Sequence, residues 1–182
     1  AEYRNLILNQ RVDMNAPFVS RATWASCATP VVDDFDGLPV YAGLDLSEVN
    51  DLTAFVAVAP VEDVWHVKPT FWLPRVGLAD KARSDRVPYD VWAREGWLQT
   101  SQGPTVDYEY VAAFLHGFCE RYDVRKIAFD RWNFRHLKPW LLKSGFEEYQ
   151  LEGDQAIFEP MGQGFQSMSP ALRDLETALL NG

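Results

Sequence analysis

The chain has 182 residues, 47% of them hydrophobic, and a net charge of −9, which is enough for one domain with a proper core. Two cysteines, Cys27 and Cys119, with no Cys-x-x-Cys pair, exclude a disulfide scaffold or zinc ribbon, fit a reducing compartment and are read as buried bystanders. The longest apolar run, Ala54 to Val61, is too short to cross a bilayer, and the N-terminus carries no basic-then-apolar leader, so a soluble, cytoplasmic protein with no membrane partner is expected.

Residues 1–38 show no sustained period and end in the turn-rich Thr29-Pro-Val-Val-Asp-Asp-Phe-Asp-Gly-Leu-Pro39, the composition of an arm or linker ahead of a domain at 39–182. Val40–Leu46, Leu52–Ala59 and Val64–Leu73 then read as three strands joined by short turns at 48–51 and 60–63, which makes an antiparallel meander. Helices are predicted over 79–86 and 88–95, the second closed by Gly96, with a short edge strand at Trp97–Thr100. Tyr110, Val111, Phe114, Leu115, Phe118, Cys119 and Tyr122 recur at helical spacing behind Asp107, a good N-cap.

Arg125–Asp130 follows as a strand, 134–144 as a helix stopped by Gly145, and 147–151 as another strand. Right-handed crossovers of this kind set neighbouring strands parallel. The fold class expected is therefore α/β, a mixed sheet in which the antiparallel meander is continued by parallel strands, with helices on both faces. A last helix is predicted from a Ser169 cap with Pro170 at its first position.

Two acids occupy unusual places. Asp45 sits in an apolar strand, where a buried carboxylate needs a cation, a metal or a proton beside it. Asp130 ends the first parallel strand just before a helix. In this topology the two strands are neighbours, so the two carboxylates should lie side by side. Hard oxygen ligands without His or Cys suit Mg²⁺ or Mn²⁺, and paired ions of this kind support phosphodiester hydrolysis.

Taken singly, each acid has a structural alternative: a core ion pair for Asp45, a helix cap for Asp130. Ser47 and Asp51 flank the first turn within reach of a phosphate or a metal-bound water, although such residues commonly close hairpins on their own backbone. His66, His116 and His136 never pair at ligand spacing, which argues against a zinc hydrolase. Trp132 is assigned to the core.

The acidity of the whole chain argues against nucleic acid, but its distribution does not. Residues 121–143 carry seven Lys/Arg against two acids, a basic stretch around Asp130 that could hold a polyanion. Arg131, Arg135 and Lys138 are the candidates to grip DNA phosphates, their alternative being a solvated helix face.

Gly43-Leu-Asp-Leu-Ser, Asn50-Asp-Leu-Thr-Ala, Tyr89-Asp-Val-Trp-Ala-Arg-Glu-Gly-Trp97, Val106-Asp-Tyr, Ile127-Ala-Phe-Asp-Arg-Trp-Asn133, Gln163-Gly-Phe, Ser169-Pro and Leu175-Glu together resemble the nuclease domain of tailed-phage terminase large subunits. Residues 4–28, with Leu8-Asn-Gln and Trp24-Ala-Ser-Cys-Ala28, resemble that family's connection from a preceding ATPase domain. The resemblance implies an RNase H-like fold and divalent-metal-dependent cutting of double-stranded DNA during packaging, in company with a portal protein and a small terminase subunit. It places Asp45 and Asp130 on the first two catalytic carboxylates.

It also implies a third carboxylate near the start of a later helix beyond Gly182, so that the chain lacks the domain's C-terminal part, binds metal weakly and has its turnover left open. Asp154, Glu159 and Asp174 are the late candidates for that carboxylate, and each reads as solvated. No Gly-x-x-x-x-Gly-Lys-Ser/Thr occurs, so no ATP binding is expected. Two other readings stay open: an actin-like or sugar-kinase domain binding ATP at the first hairpin, and a non-catalytic docking piece.

Overall fold

The computed structural model describes residues 18–28, 32, 34–47 and 51–181. Much of the expected arm, and the centre of the first hairpin turn at 48–50, lie outside the described residues. The chain divides into two compact units, Val31–Gln163 and a second made of Ala1–Pro30 with Gly164–Gly182.

The larger unit is built on a mixed six-stranded sheet in the order β4-β3-β2-β1-β5-β6. Its strands are β1 (Pro39–Asp45), β2 (Thr53–Val61), β3 (Val64–Pro74), β4 (Gln99–Ser101), β5 (Asp123–Phe129) and β6 (Phe158–Pro160). β1, β2 and β3 form the expected antiparallel meander. β5 runs parallel to β1, and β6 parallel to β5.

Alternation along the strands decides which side chains meet the helices. Leu44, Phe55, Trp72 and Ile127 are buried on one face, because successive residues of a strand point to opposite sides. That face is covered by α4 (Tyr108–Arg121) and α5 (Arg131–Ser144), which pack on each other. α4 begins where the Asp107 carboxylate accepts the Glu109 N–H at 3.0 Å, the predicted cap. Its Phe114 and Phe118 meet Phe55 edge-on at 5.7 and 5.0 Å between ring centres. Rings in this geometry add to the ~1.5–3 kcal/mol that burying each such side chain contributes.

Phe71 and Leu73 alternate with Trp72 and so point the other way. They pack with Leu78, Tyr89, Ala93 and Leu98 in a smaller apolar cluster, supplied by α2 (Leu78–Asp85), α3 (Tyr89–Glu95) and the segment leading to β4. Helices therefore cover both faces of the sheet.

Three expectations are corrected. Residues Glu148–Leu151 form a short helix, α6, and not a strand. Glu147 and Gln150 close a capping box around its first turn, and reciprocal side-chain bonds of this kind favour a helical turn over an extended one. The sheet is finished instead by β6. The C-terminal helix, α7 (Phe165–Asn181), starts four residues before the predicted Ser169 cap and carries Pro170 inside it, giving up one backbone bond near its beginning. Cys27 and Cys119 are only partly buried, although the surroundings of Cys119 push its thiol up to about 12.

In the second unit α7 is accompanied by the short α1 (Arg21–Ser26), capped by the Ser20 hydroxyl, which accepts the Thr23 N–H at 3.0 Å. The Cys27 thiol there donates to the Leu179 carbonyl at 3.5 Å.

Candidate active site

The parallel pairing of β1 with β5 sets the site. Val40 lies opposite Val124 but Tyr41 lies opposite Lys126, so the register slips by one residue at Arg125. Without the slip Leu44 would face Ala128; with it Leu44 faces Phe129. Asp45 and Asp130 each stand one residue beyond that last pair, at the same end of adjacent strands. An irregularity of this kind re-aims the residues that follow it, and here it brings the two acids to one level.

Asp45 is exposed, which corrects the expectation of a carboxylate buried in its strand. The residue closes β1 on the face of Tyr41 and Gly43, opposite Leu44, so the core does not enclose it. Its carboxyl is nevertheless held above the ordinary aspartate range, first by partial desolvation, then by the charges of Asp130 and Asp51. Three acids thus share one patch of field. Among the described residues neither Asp45 nor Asp130 has a Lys or Arg at ion-pair distance, so the core-pair alternative for Asp45 is not realised.

Asp130 is the N-cap of α5, which begins at Arg131, three residues earlier than predicted. One carboxylate oxygen accepts the Trp132 N–H at 3.3 Å. The capping alternative is therefore real, but it engages a single oxygen and leaves the other for a ligand.

The segment after Asp45 is tied from three sides. The Leu46 carbonyl accepts the Asn133 side-chain amide at 2.7 Å. The Ser47 carbonyl accepts the Tyr108 hydroxyl at 2.7 Å, and the Ser47 N–H donates to the Thr53 hydroxyl at 3.1 Å. Finally the Ser47 hydroxyl accepts the Asp51 N–H at 3.0 Å, closing the turn as hairpin serines do. Ser47 and Thr53 are both buried, so α4, α5 and β2 jointly fix the strand end that carries Asp45.

Mutually repelling carboxylates without a basic partner among the described residues favour a hard divalent cation, since an ion offsets the desolvation and the repulsion that together raise the Asp45 carboxyl. Asn133 adds a second sign: with its amide nitrogen committed to Leu46, its Oδ1 is buried and has no hydrogen-bond partner, an acceptor left over in the first turn of the helix that Asp130 caps. The residues fit Mg²⁺ or Mn²⁺ in kind. In number they fall short, because no group of three or more His, Cys, Asp or Glu among the described residues could hold a metal ion.

Of the predicted DNA-gripping residues, Arg131 and Arg135 are exposed at the start of α5. Lys138 is instead engaged by Glu148 at 3.1 Å and Glu152 at 2.9 Å; hydrogen bonds to Glu152 and Glu148 hold its ammonium above the usual lysine range. Trp132, assigned to the core from sequence, is 80% exposed. Helical spacing gives the reason: Phe134, Leu137 and Leu141 are the buried stripe, and position 132 lies across the helix from it. Asn133 was missed as a site residue, and only its adjacency to Asp130 could have pointed to it.

Neither acid lines the groove of about 900 Å³ bordered by Lys68, Trp97, Phe114, Phe118, Arg121 and Tyr122. The acids stand instead at the shared end of β1 and β5, Asp45 exposed and Asp130 partly so.

The model of the family "Terminase large subunit, endonuclease domain" matches residues 3–181. The chain belongs to this family. It is 40% identical over 181 residues to the terminase large subunit of Enterobacteria phage HK97, a match that covers 99% of this chain and 34% of that protein. The crystal structure of the HK97 bacteriophage large terminase superposes with a TM-score of 0.78 at 40% identity, over 99% of this chain and 36% of that one. The chain thus spans about a third of the relative's length. Membership of the terminase family sets aside the actin-like or sugar-kinase reading. Among the described residues no helix is long and apolar enough to cross a membrane.

Proposed function

We propose that the chain is the divalent-metal-dependent endonuclease domain of a phage DNA-packaging terminase, which hydrolyses phosphodiesters of double-stranded DNA during genome packaging in the host cytoplasm. The observation that carries this reading is the juxtaposition of Asp45 and Asp130 at one end of adjacent parallel strands, with Asp51 in their field and, among the described residues, no Lys or Arg at ion-pair distance.

In this reading Asp45 and Asp130 hold Mg²⁺ or Mn²⁺. The bound ion supplies Lewis acidity to a phosphoryl oxygen and lowers the pKa of water. The protein's own groups do the rest. Asn133, Tyr108 and Thr53 hold the end of β1 rigid so that Asp45 keeps its distance from Asp130, and the Ser47 hydroxyl places the backbone of Asp51 beside them. Arg131 and Arg135 contact phosphates on the strand that approaches the acids, orienting the backbone without reading its sequence. Lys138, braced by two glutamates, adds to the local field more than to direct contact.

Residues 1–38 are assigned to the connection from an ATPase domain, and 39–182 to the nuclease domain. A portal protein and a small terminase subunit are the partners this role entails.

Plasmid cleavage with Mn²⁺ tests the reading, comparing the chain with Asp45→Asn and Asp130→Asn. Cutting that needs both acids supports it. DNA binding with no cutting under any divalent cation would instead make the chain a docking module.

A further inference from the structure

We propose that Trp132 is a DNA-contacting residue, its indole packing against the sugar and base edge of the strand whose phosphate lies at Asp45 and Asp130. This rests on the nuclease reading of those two acids.

Position comes first. The backbone N–H of Trp132 is bonded to the Asp130 carboxylate at 3.3 Å, so the indole is rooted within one side chain's length of the candidate site. A nucleotide seated on Asp130 has to pass beside it.

Exposure is the second ground. The indole is 80% exposed on a helix whose Phe134, Leu137 and Leu141 are buried and whose Trp140 and Leu142 are partly buried against the core. It lies across the helix from that stripe and packs into no core, so the fold gains little from it. A single exposed apolar residue is ordinary on any surface; the company it keeps selects the occupant.

Charge is the third. Arg131 precedes it, and Arg135 and His136 lie one turn on, on the same exposed face of α5. Arg135 donates to His136 at 3.1 Å and, like Arg131, has no carboxylate partner among the described residues. The acids Glu148 and Glu152 are spent on Lys138. An indole framed by unneutralised guanidinium groups matches a nucleic-acid strand, in which phosphates alternate with flat apolar surfaces.

The test is the affinity of the 182-residue chain for a fluorescein-labelled DNA, as duplex and as single strand, by anisotropy in EDTA across a salt series. Trp132→Ala should bind roughly five- to a hundredfold more weakly, the range alanine substitution gives for stacking residues, and Trp132→Phe should recover most of the loss. The salt dependence of Trp132→Ala should keep the wild-type slope, whereas Arg131→Ala should lower that slope by about one. Thermal melting should be the same for wild type and both tryptophan variants, since the side chain is outside the core.

Wild-type affinity in Trp132→Ala overturns the proposal; if a dimer seen by sedimentation dissociates in that variant as well, the face belongs to a second copy of the chain. A lowered salt slope in Trp132→Ala also overturns it, because the indole would then only orient the arginines. Tryptophan-dependent binding without Mn²⁺-dependent cutting would leave the Trp132 contact standing and remove the nuclease reading. Cutting that is indifferent to Trp132→Ala would do the reverse.

Discussion

The side-chain amide of Asn133 donates to the Leu46 carbonyl at 2.7 Å, joining the first turn of α5 to the residue that follows Asp45. Because Asp130 caps the same turn, this one bond links the two elements that carry the acids. A metal pair of carboxylates is only as good as the constancy of the distance between them.

Asn133→Ala should therefore separate stability from site geometry. Losing a bond to a partly buried carbonyl costs about 1–2 kcal/mol, eased by the simultaneous removal of the unpartnered Oδ1. Mn²⁺ affinity should fall further, by about tenfold, the usual effect of removing a group that orients a ligand. Urea denaturation and titration calorimetry on the same variant read the two quantities; equal and small effects on both would make Asn133 a packing residue only.

A pH dependence follows from Asp45. Its carboxyl is raised by desolvation and by the charges of Asp130 and Asp51, so the folded, metal-free protein holds that proton more tightly than the unfolded chain does. The charged form destabilises the fold above the raised pKa, and that penalty disappears as pH falls through it toward the ordinary aspartate value. Asp45→Asn should thus stabilise the metal-free chain near neutral pH, by less than about 1 kcal/mol at so exposed a site. The gain should vanish in mild acid. Thermal melts in EDTA at neutral and acidic pH check the sign.

Gly145 ends α5 with φ +115, and a Cβ there would come within 2.7 Å of His116 Nε2. Gly145→Ala combines a backbone conformation that L side chains avoid with a clash against α4, for a loss of about 1–3 kcal/mol. Its Mn²⁺ affinity per folded molecule should stay at the wild-type value, which makes the variant the control for general damage. Denaturation and calorimetry decide it.

Lys138 and Arg135 are one turn apart yet should behave differently toward DNA. Lys138 is held by Glu148 and Glu152, and removing it leaves two glutamates to repel a phosphate while removing little direct contact. Arg135→Ala should lower the slope of DNA affinity against salt by about one, and Lys138→Ala by less. Anisotropy over a salt series distinguishes them.

How much of this was legible in the sequence differs between levels. The β1–β2–β3 meander was readable because period-two runs separated by short turns leave few alternatives. The side-by-side placement of Asp45 and Asp130 followed from strand adjacency, although the slip at Arg125 that levels them could not be seen in advance. Residues 147–151 misled because Glu-Glu-Tyr-Gln-Leu alternates polar with apolar residues as a strand does yet is short enough to be one turn of helix, and the capping box of Glu147 and Gln150 decided it. Trp132 misled because size and apolarity were weighed above its angular position on α5. The exposure of Asp45 was hidden for a related reason: a strand end escapes the burial that its apolar neighbours advertise.

The account rests on Asp45 and Asp130 sharing a divalent ion, and calorimetric titration of Mn²⁺ into the metal-free chain measures that directly. Saturable binding that is abolished in both Asp45→Asn and Asp130→Asn, while Gly145→Ala keeps it, is the expected result. Binding that survives either aspartate substitution unchanged, or no binding by the wild-type chain, would contradict it.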